Sequence, residues 1–227
     1  SGTSLQAICR NPLVSPYILG LSSGAAFGAA FAMTFLSGGI TVQVCAFLCG
    51  LAAVGAAYGI ARTRGETPAI SLVLSGVIIS AFFTALLGII QFLATPHQLG
   101  GIVYWIMGSL SLSDWSRVLV ALVPVTLGVC LMGLMRWRLN AMSMGDEEAK
   151  SVGVSVERDK TIVVVAATLA SASVVSVCGI VGWIGLIIPH IVRMLVGPDH
   201  RMLVPLSVTA GAAFMLGVDD LARGITD

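Results

Sequence analysis

Long apolar runs broken by short charged islands set the pattern of this chain. A helix crossing the hydrocarbon core of a bilayer needs about 20 largely apolar residues, and residues 17–36, 40–61, 68–94, 118–135 and 202–218 each read as one such span. The stretch from Thr161 to Val192 holds no Asp, Glu, Lys or Arg over 32 residues. As one helix it would be about 48 Å long, more than an upright crossing needs. Gly179, Gly182, Gly185 and Pro189 cluster where a helix would break, which predicts two spans, 159–177 and 180–196. Seven crossings follow, with the tail of a preceding helix at residues 1–9. The predicted fold is all-α, a polytopic transmembrane helical bundle forming one domain over residues 1–227.

The basic residues test that count, because Lys and Arg concentrate in short cytoplasmic loops. One set of alternate loops carries Arg10, Arg62, Arg64, Arg136, Arg138, Lys150, Arg158, Lys160, Arg193 and Arg201, and the other only Arg117 and Arg223. Treating 161–192 as a single crossing weakens ten against two to nine against three, so the two-span reading fits better. It turns the segment 137–158 to the cytoplasm.

Composition agrees with a lipid solvent: 57% of residues are hydrophobic and 10% charged, where soluble domains carry about 25% charged residues. A net charge of +1 with no clustered Lys and Arg argues against nucleic acid as a partner. The five cysteines, Cys9, Cys45, Cys49, Cys130 and Cys178, form no C-x-x-C pair, and all but Cys9 lie in apolar stretches, which favours packing over metal or disulfide chemistry. The chain opens Ser1-Gly2-Thr3, closes at Asp227 and shows no cleavable signal peptide; it reads as trimmed at both ends. Gly20, Gly24 and Gly28, and likewise Gly55 and Gly59, recur at four-residue spacing, the chemistry of helices whose backbones approach closely.

Two loops carry more than connection. Residues 95–117, from Thr95-Pro96-His97 through Trp105-Ile106-Met107-Gly108-Ser109 to Asp114-Trp115, are mostly uncharged but interrupted by Gly. They fit a short helix at the outer mouth of a cavity, an interfacial loop with Trp105 and Trp115 at headgroup depth, or both. Residues 142–153 have Asp146, Glu147 and Glu148 at the front and Gly153 as a stop, which favours a short helix in water. Met144, Ala149 and Val152 would give it one apolar face. Such a helix suits the docking of a partner protein, or serves as a soluble connector.

No G-x-x-x-x-G-K-[ST] loop occurs, so energy from ATP would have to come from a partner. A secondary transporter usually buries ionisable residues inside its spans, and only Asp219 and Asp220 come close. Gly20-Leu21-Ser22-Ser23-Gly24 satisfies G-x-S-x-G, and His190 could supply a base, which would be the pattern of an intramembrane serine protease. Small-residue helices match so short a pattern by accident, and His190 reads better as a helix-end histidine beside Pro189. His97, His190 and His200 are too scattered to gather as metal ligands.

Several stretches resemble the FecCD family of ABC-importer permeases. They are Arg10-Asn11-Pro12-Leu13-Val14-Ser15-Pro16 with Leu19-Gly20-Leu21-Ser22-Ser23-Gly24, then Tyr104-Trp105-Ile106-Met107-Gly108-Ser109, Gly182-Trp183-Ile184-Gly185-Leu186-Ile187-Ile188-Pro189-His190, Asp199-His200-Arg201 and Asp220-Leu221-Ala222-Arg223. The resemblance runs along essentially the whole chain in family order. It implies a ten-helix subunit, used as a homodimer in a prokaryotic cytoplasmic (inner) membrane, importing metal chelates such as siderophore iron, haem or cobalamin by alternating access. Its partners would be two ATP-binding subunits, which hold the ATP and magnesium, and a periplasmic or lipid-anchored substrate-binding protein. This chain would carry no cofactor and no catalytic or metal-binding residue.

Carried onto this sequence, the resemblance implies that residues 140–157 form the coupling segment, with Gly145, Glu147, Glu148, Ala149 and Gly153 docking on the ATPase. Asn11, Leu13, Ala69 and Ser71, with the turn around Glu66 to Ser71, would lie near the cytoplasmic gate and translocation path. Arg223 would meet the binding protein. Trp137-Arg138-Leu139-Asn140 and Asp219-Asp220 are similar to members proposed to carry molybdate or tungstate, which makes that oxyanion class the alternative cargo.

Overall fold

The apolar runs fold as helices in the computed structural model, which describes residues 1–36, 39–63, 65–110 and 114–226. In chain order these are α1 (Gly2–Cys9), a 3-10 turn (Pro16–Leu19), α2 (Leu21–Phe35), α3 (Ile40–Ala61), α4 (Ala69–Leu93), α5 (Pro96–Met107), α6 (Trp115–Met144), α7 (Asp146–Ser151), α8 (Val156–Cys178), α9 (Ile184–Val196) and α10 (His200–Thr226). Among the described residues the only β pairing is an isolated bridge between Thr63 and Glu66. Five helices, α3, α4, α6, α8 and α10, are long and apolar enough to cross a membrane, and α2 and α9 are shorter apolar helices. Those seven match the seven predicted runs.

The boundaries moved where backbone chemistry overrode hydropathy. The run at 17–36 splits because Gly20 takes a left-handed conformation, φ 87°, between the 3-10 turn and α2. The run at 118–135 continues as a 30-residue helix to Met144, about 45 Å long, so its end projects past any bilayer core. The long uncharged stretch breaks as predicted: α8 stops at Cys178, Gly179 turns with φ 74°, and α9 begins only at Ile184. Being 13 residues, about 20 Å, α9 covers part of the hydrocarbon depth and its start packs inside the bundle, where Gly185 lies against Ser15, Pro16 and Gly2.

Lipid tails give no hydrophobic drive between helices, so close approach of backbones must supply the attraction. Gly24 and Gly28 of α2 face Cys49, Ala53 and Cys45 of α3; a Cβ on Gly24 would stand 2.6 Å from the Cys49 carbonyl. Gly128 of α6 meets Ala166 and Ala170 of α8 in the same way. The glycine prediction fails at Gly55 and Gly59, which face open space on α3, whereas Gly20 serves a turn and also lies close against Ile79 and Ser80 of α4.

Side-chain bonds sort the helix ends into two groups. At one end Arg193 donates to Gln6 (2.6 Å), Asn140 donates to Asp199 (2.6 Å) and Arg138 pairs with Asp159 (2.8 Å). Arg10, Arg62, Arg136, Lys150, Arg158, Lys160 and Arg201 belong to this basic end, and Arg64 lies outside the described residues. The other end is nearly neutral. There Thr95 and Gln98 form a capping box at the start of α5, and Gln98 donates to the Met33 and Thr34 carbonyls that close α2 (3.4 and 3.2 Å). The predicted short outer helix is thus α5, with Trp105 partly buried against the core and Trp115 exposed; positions 111–113 of that loop lie outside the described residues.

Candidate functional site

The basic end carries one element that packing alone does not explain, the six-residue α7. Its first turn is Asp146, Glu147 and Glu148 and its last holds Lys150, each charge sitting where it complements the helix dipole. Gly145 opens it with φ 149° and Gly153 closes it with φ 83°, the latter a left-handed turn that glycine adopts without penalty. The Gly153 amide then donates to the Lys150 carbonyl and that of Val154 to the Ala149 carbonyl, both at 3.0 Å.

The face of this helix differs from the predicted one. Met144 ends α6 instead of joining α7, and Met144 and Val152 are exposed while Ala149 is fully buried. The break at Gly145 resets the helical phase, so the three apolar residues share no face. What α7 presents outward is acidic: Glu147 and Glu148 are exposed, and Glu147 accepts from Lys150 at 2.9 Å. That bond and the Glu147 charge, with Glu66 and Asp146 adding, hold the Lys150 ammonium above the ordinary lysine range.

Beneath α7, Lys160 of α8 is almost wholly buried, its side chain 4% exposed. Its ammonium donates to Asp146 of α7 (2.7 Å), to Glu157 of α8 (3.3 Å) and to the Thr67 carbonyl (3.0 Å), two residues before α4. Tyr58 at the end of α3 shares a hydrogen bond with Thr161 (2.7 Å), and the Thr67 hydroxyl reaches Tyr58 at 3.5 Å. One step along, fully buried Asp159 pairs with half-exposed Arg138. None of these ties was foreseen. The available signal was an Asp159-Lys160 pair at the head of a 32-residue uncharged run, since charges so close to hydrocarbon need partners.

The structure brings some predicted site residues together and leaves others apart. Gly145, Glu147, Glu148, Ala149 and Gly153 all lie on α7 or its turns. Ala69 and Ser71 open α4, partly buried, directly after Thr67. Asn11 and Leu13 lie in the exposed connection after α1, where the Asn11 carboxamide oxygen accepts from the Leu13 amide (2.9 Å) and Leu13 is 70% exposed. Val14, next along, enters the same core as Leu72 and Ala69. Arg223 belongs to the opposite end, near the close of α10, paired with Asp219 at 2.8 Å. The Ser23 hydroxyl donates to the Gly20 carbonyl (3.0 Å), as a helical serine does. Among the described residues no three His, Cys, Asp or Glu side chains converge as metal ligands. The arrangement therefore presents an acidic, outward-facing element mounted on helix ends.

Known proteins share this architecture along its full length. A Helicobacter pylori protein named as the permease of an iron chelatin transport system is 41% identical over 226 residues, covering 100% of this chain and 68% of that protein. The molybdate import system permease of Haemophilus influenzae is 37% identical over 228 residues, with the same two coverages. A solved structure described as an inward-facing, metal-chelate type ABC transporter superposes with a TM-score of 0.92 at 36% identity, over 99% of this chain and 72% of the other. The FecCD transport family matches residues 1–227. With its fold and its relatives in agreement, the chain belongs to the FecCD transport family.

Proposed function

We propose that this chain is the membrane-spanning permease subunit of an ATP-binding-cassette importer that moves a metal chelate, such as chelated iron, haem or cobalamin, across a prokaryotic cytoplasmic membrane. The observation that carries the reading is the end-to-end likeness, in sequence and in fold, to permeases of such systems. In this reading its role is transport, as in the named permeases it resembles, with ATP hydrolysed by two separate ATP-binding subunits. A substrate-binding protein delivers cargo on the other side.

The basic end faces the cytoplasm on the charge rule, and α7 with residues 140–157 docks on the ATPase there. Gly145 and Gly153 set the ends of this element, Glu147 and Glu148 give it a charged surface, and Ala149 anchors it. Asn11, Leu13, Ala69 and Ser71 border the path near the cytoplasmic gate. Arg223 meets the binding protein at the neutral end. A second identical chain completes the path, a reading supported by exposed apolar and small residues along α10. ATP-driven closure of the ATPase pair displaces α7, and the helices swing between outward and inward openings.

Molybdate is the second reading for the cargo, favoured by the Haemophilus relative. The test is to purify the full-length protein with its co-expressed partners, reconstitute it in liposomes, and compare ATP-dependent uptake of iron chelates, haem, cobalamin and molybdate. An ATPase should co-purify and uptake of one cargo should require ATP. Purification without any ATPase, with uptake driven by a proton gradient, would overturn the reading.

A further inference from the structure

We infer that Lys160 is a positioning residue that makes the ATPase-facing helix α7, the turn leading into α4 and the foot of α8 move as one body. The inference rests on the docking role proposed above for α7. An ammonium has three donors and no acceptor, and here each donor has an acceptor on a different segment: Asp146 on α7, the Thr67 carbonyl before α4, and Glu157 on α8. Thr67 is itself buried, and Pro68, with φ −61°, follows it as the cap of α4. Displacement of α7 therefore reaches Ala69 through two hydrogen bonds of one buried ammonium and the linked residues Thr67, Pro68 and Ala69, with Ser71 two residues further on.

The Thr67–Tyr58–Thr161 bonds tie the turn to α8 but do not reach α7, and the ion pair that does join the turn to α7 is too soft for that task. Lys150 approaches Glu66 at 3.9 Å with both side chains largely in solvent, where screening and side-chain freedom leave such a pair little strength. Lys160 is shielded from water, and its attraction to the two carboxylates is screened far less. A point charge on a flexible stem can serve three acceptors at once; arginine's planar fork favours bidentate partners and fits this arrangement poorly.

The experiment measures cargo imported per ATP hydrolysed in the assembled transporter carrying K160M, K160R or the native chain. Spin labels at positions 66 and 152, both exposed, report the distance between the turn and α7 with and without nucleotide, in a background with the native cysteines replaced. In the native protein the distance stays constant between nucleotide states. In K160M it broadens, while import per ATP falls by about 3- to 30-fold, the span expected when one link of a coupled network is cut; K160R lies between. Either readout unchanged in K160M overturns the inference. If K160M fails to assemble, D146A, which removes one arm and leaves the lysine bonded to Glu157 and the Thr67 carbonyl, decides by the same two readouts. Cross-linking from a cysteine at position 147 to the ATPase is scored separately in the native background: its absence would sink the docking role of α7.

Discussion

Helices α8 and α10 are both long and apolar, yet they live in opposite surroundings. Over its most apolar 18 residues α8 is 56% buried with a mean hydropathy of 2.2, whereas α10 is 11% buried with a mean hydropathy of 1.6. The more exposed helix is thus the less hydrophobic one. Residue size explains the sorting better than hydropathy does. Between helices in lipid, attraction comes from close contact, and α8 supplies it with Ala166, Ala167, Ala170, Ala172, Ser173 and Ser176, all buried. Outward, α10 shows Phe214, Leu216, Leu221 and Ile225 with Asp220 and Arg223 among them. A surface mixing large apolar side chains with ionised ones suits a protein partner or a wet path better than acyl chains alone, which supports the proposed second copy.

Overpacking should separate the two helices most sharply. Ala170→Leu thrusts a side chain into the tight crossing with Gly128, and such insertions typically cost about 1–3 kcal/mol. Ala213→Leu, on the exposed side of α10, should stay within about 0.5 kcal/mol. Thermal stability of the purified chain in detergent, followed by size-exclusion after heating, measures both. Equal losses would mean that α10 is as tightly packed as α8, and the contrast would fall.

Ion pairs should repeat the contrast on a smaller scale. Arg138→Met strands the Asp159 carboxylate, which is fully buried at the foot of α8. Leaving a buried acceptor unpaired costs about 1–3 kcal/mol; half-exposed Arg138 keeps this near the lower bound, because solvent screens the pair. Arg223→Gln on α10 removes a pair four residues apart whose arginine is half-exposed and whose Asp219 is partly buried, worth about 0.3–0.5 kcal/mol. Its stability should hardly change, whatever becomes of docking at the neutral end.

The same contrast marks what the sequence could disclose. Uncharged runs located α3, α4 and α8 almost to their ends, because hydrocarbon imposes length and excludes charge. Gly179 and its neighbours located the break before α9. The basic residues sorted the two ends, and the motifs named the family. Neighbour choice stayed hidden: Gly24 and Gly28 meet a helix while Gly55 and Gly59, at the same spacing, meet open space, since spacing fixes a face and not what covers it. The α7 segment was visible from its acids and glycine, but its phase was not, because Gly145 breaks the helix that carries Met144. The Lys160 tie joins residues 67, 146 and 160, a meeting that only the packed bundle creates.

The smallest expected effect concerns how α10 is held at its basic end. Asp199 accepts from the Asn140 amide at 2.6 Å and from the Arg201 amide at 2.9 Å, while the buried His200 amide donates to the Asn140 carboxamide oxygen at 2.7 Å. The Asn140 bond, then that of Arg201, holds the Asp199 carboxyl below the usual carboxylate range. A carboxyl whose pKa is lower folded than unfolded adds stability above its unfolded value, about 3.9, and loses that contribution as pH falls through the folded value. Above the unfolded value the Asp199 contribution should therefore be constant, and acid below about pH 4 should begin to weaken it. Hydrogen exchange of the first turns of α10 at pH 3 to 7 reads this directly. D199N should be looser at neutral pH and lack the acid-dependent change. Should D199N match the native helix in protection at neutral pH and on acidification alike, α10 is held by packing after all, and its likeness to α8 is greater than its exposure suggests.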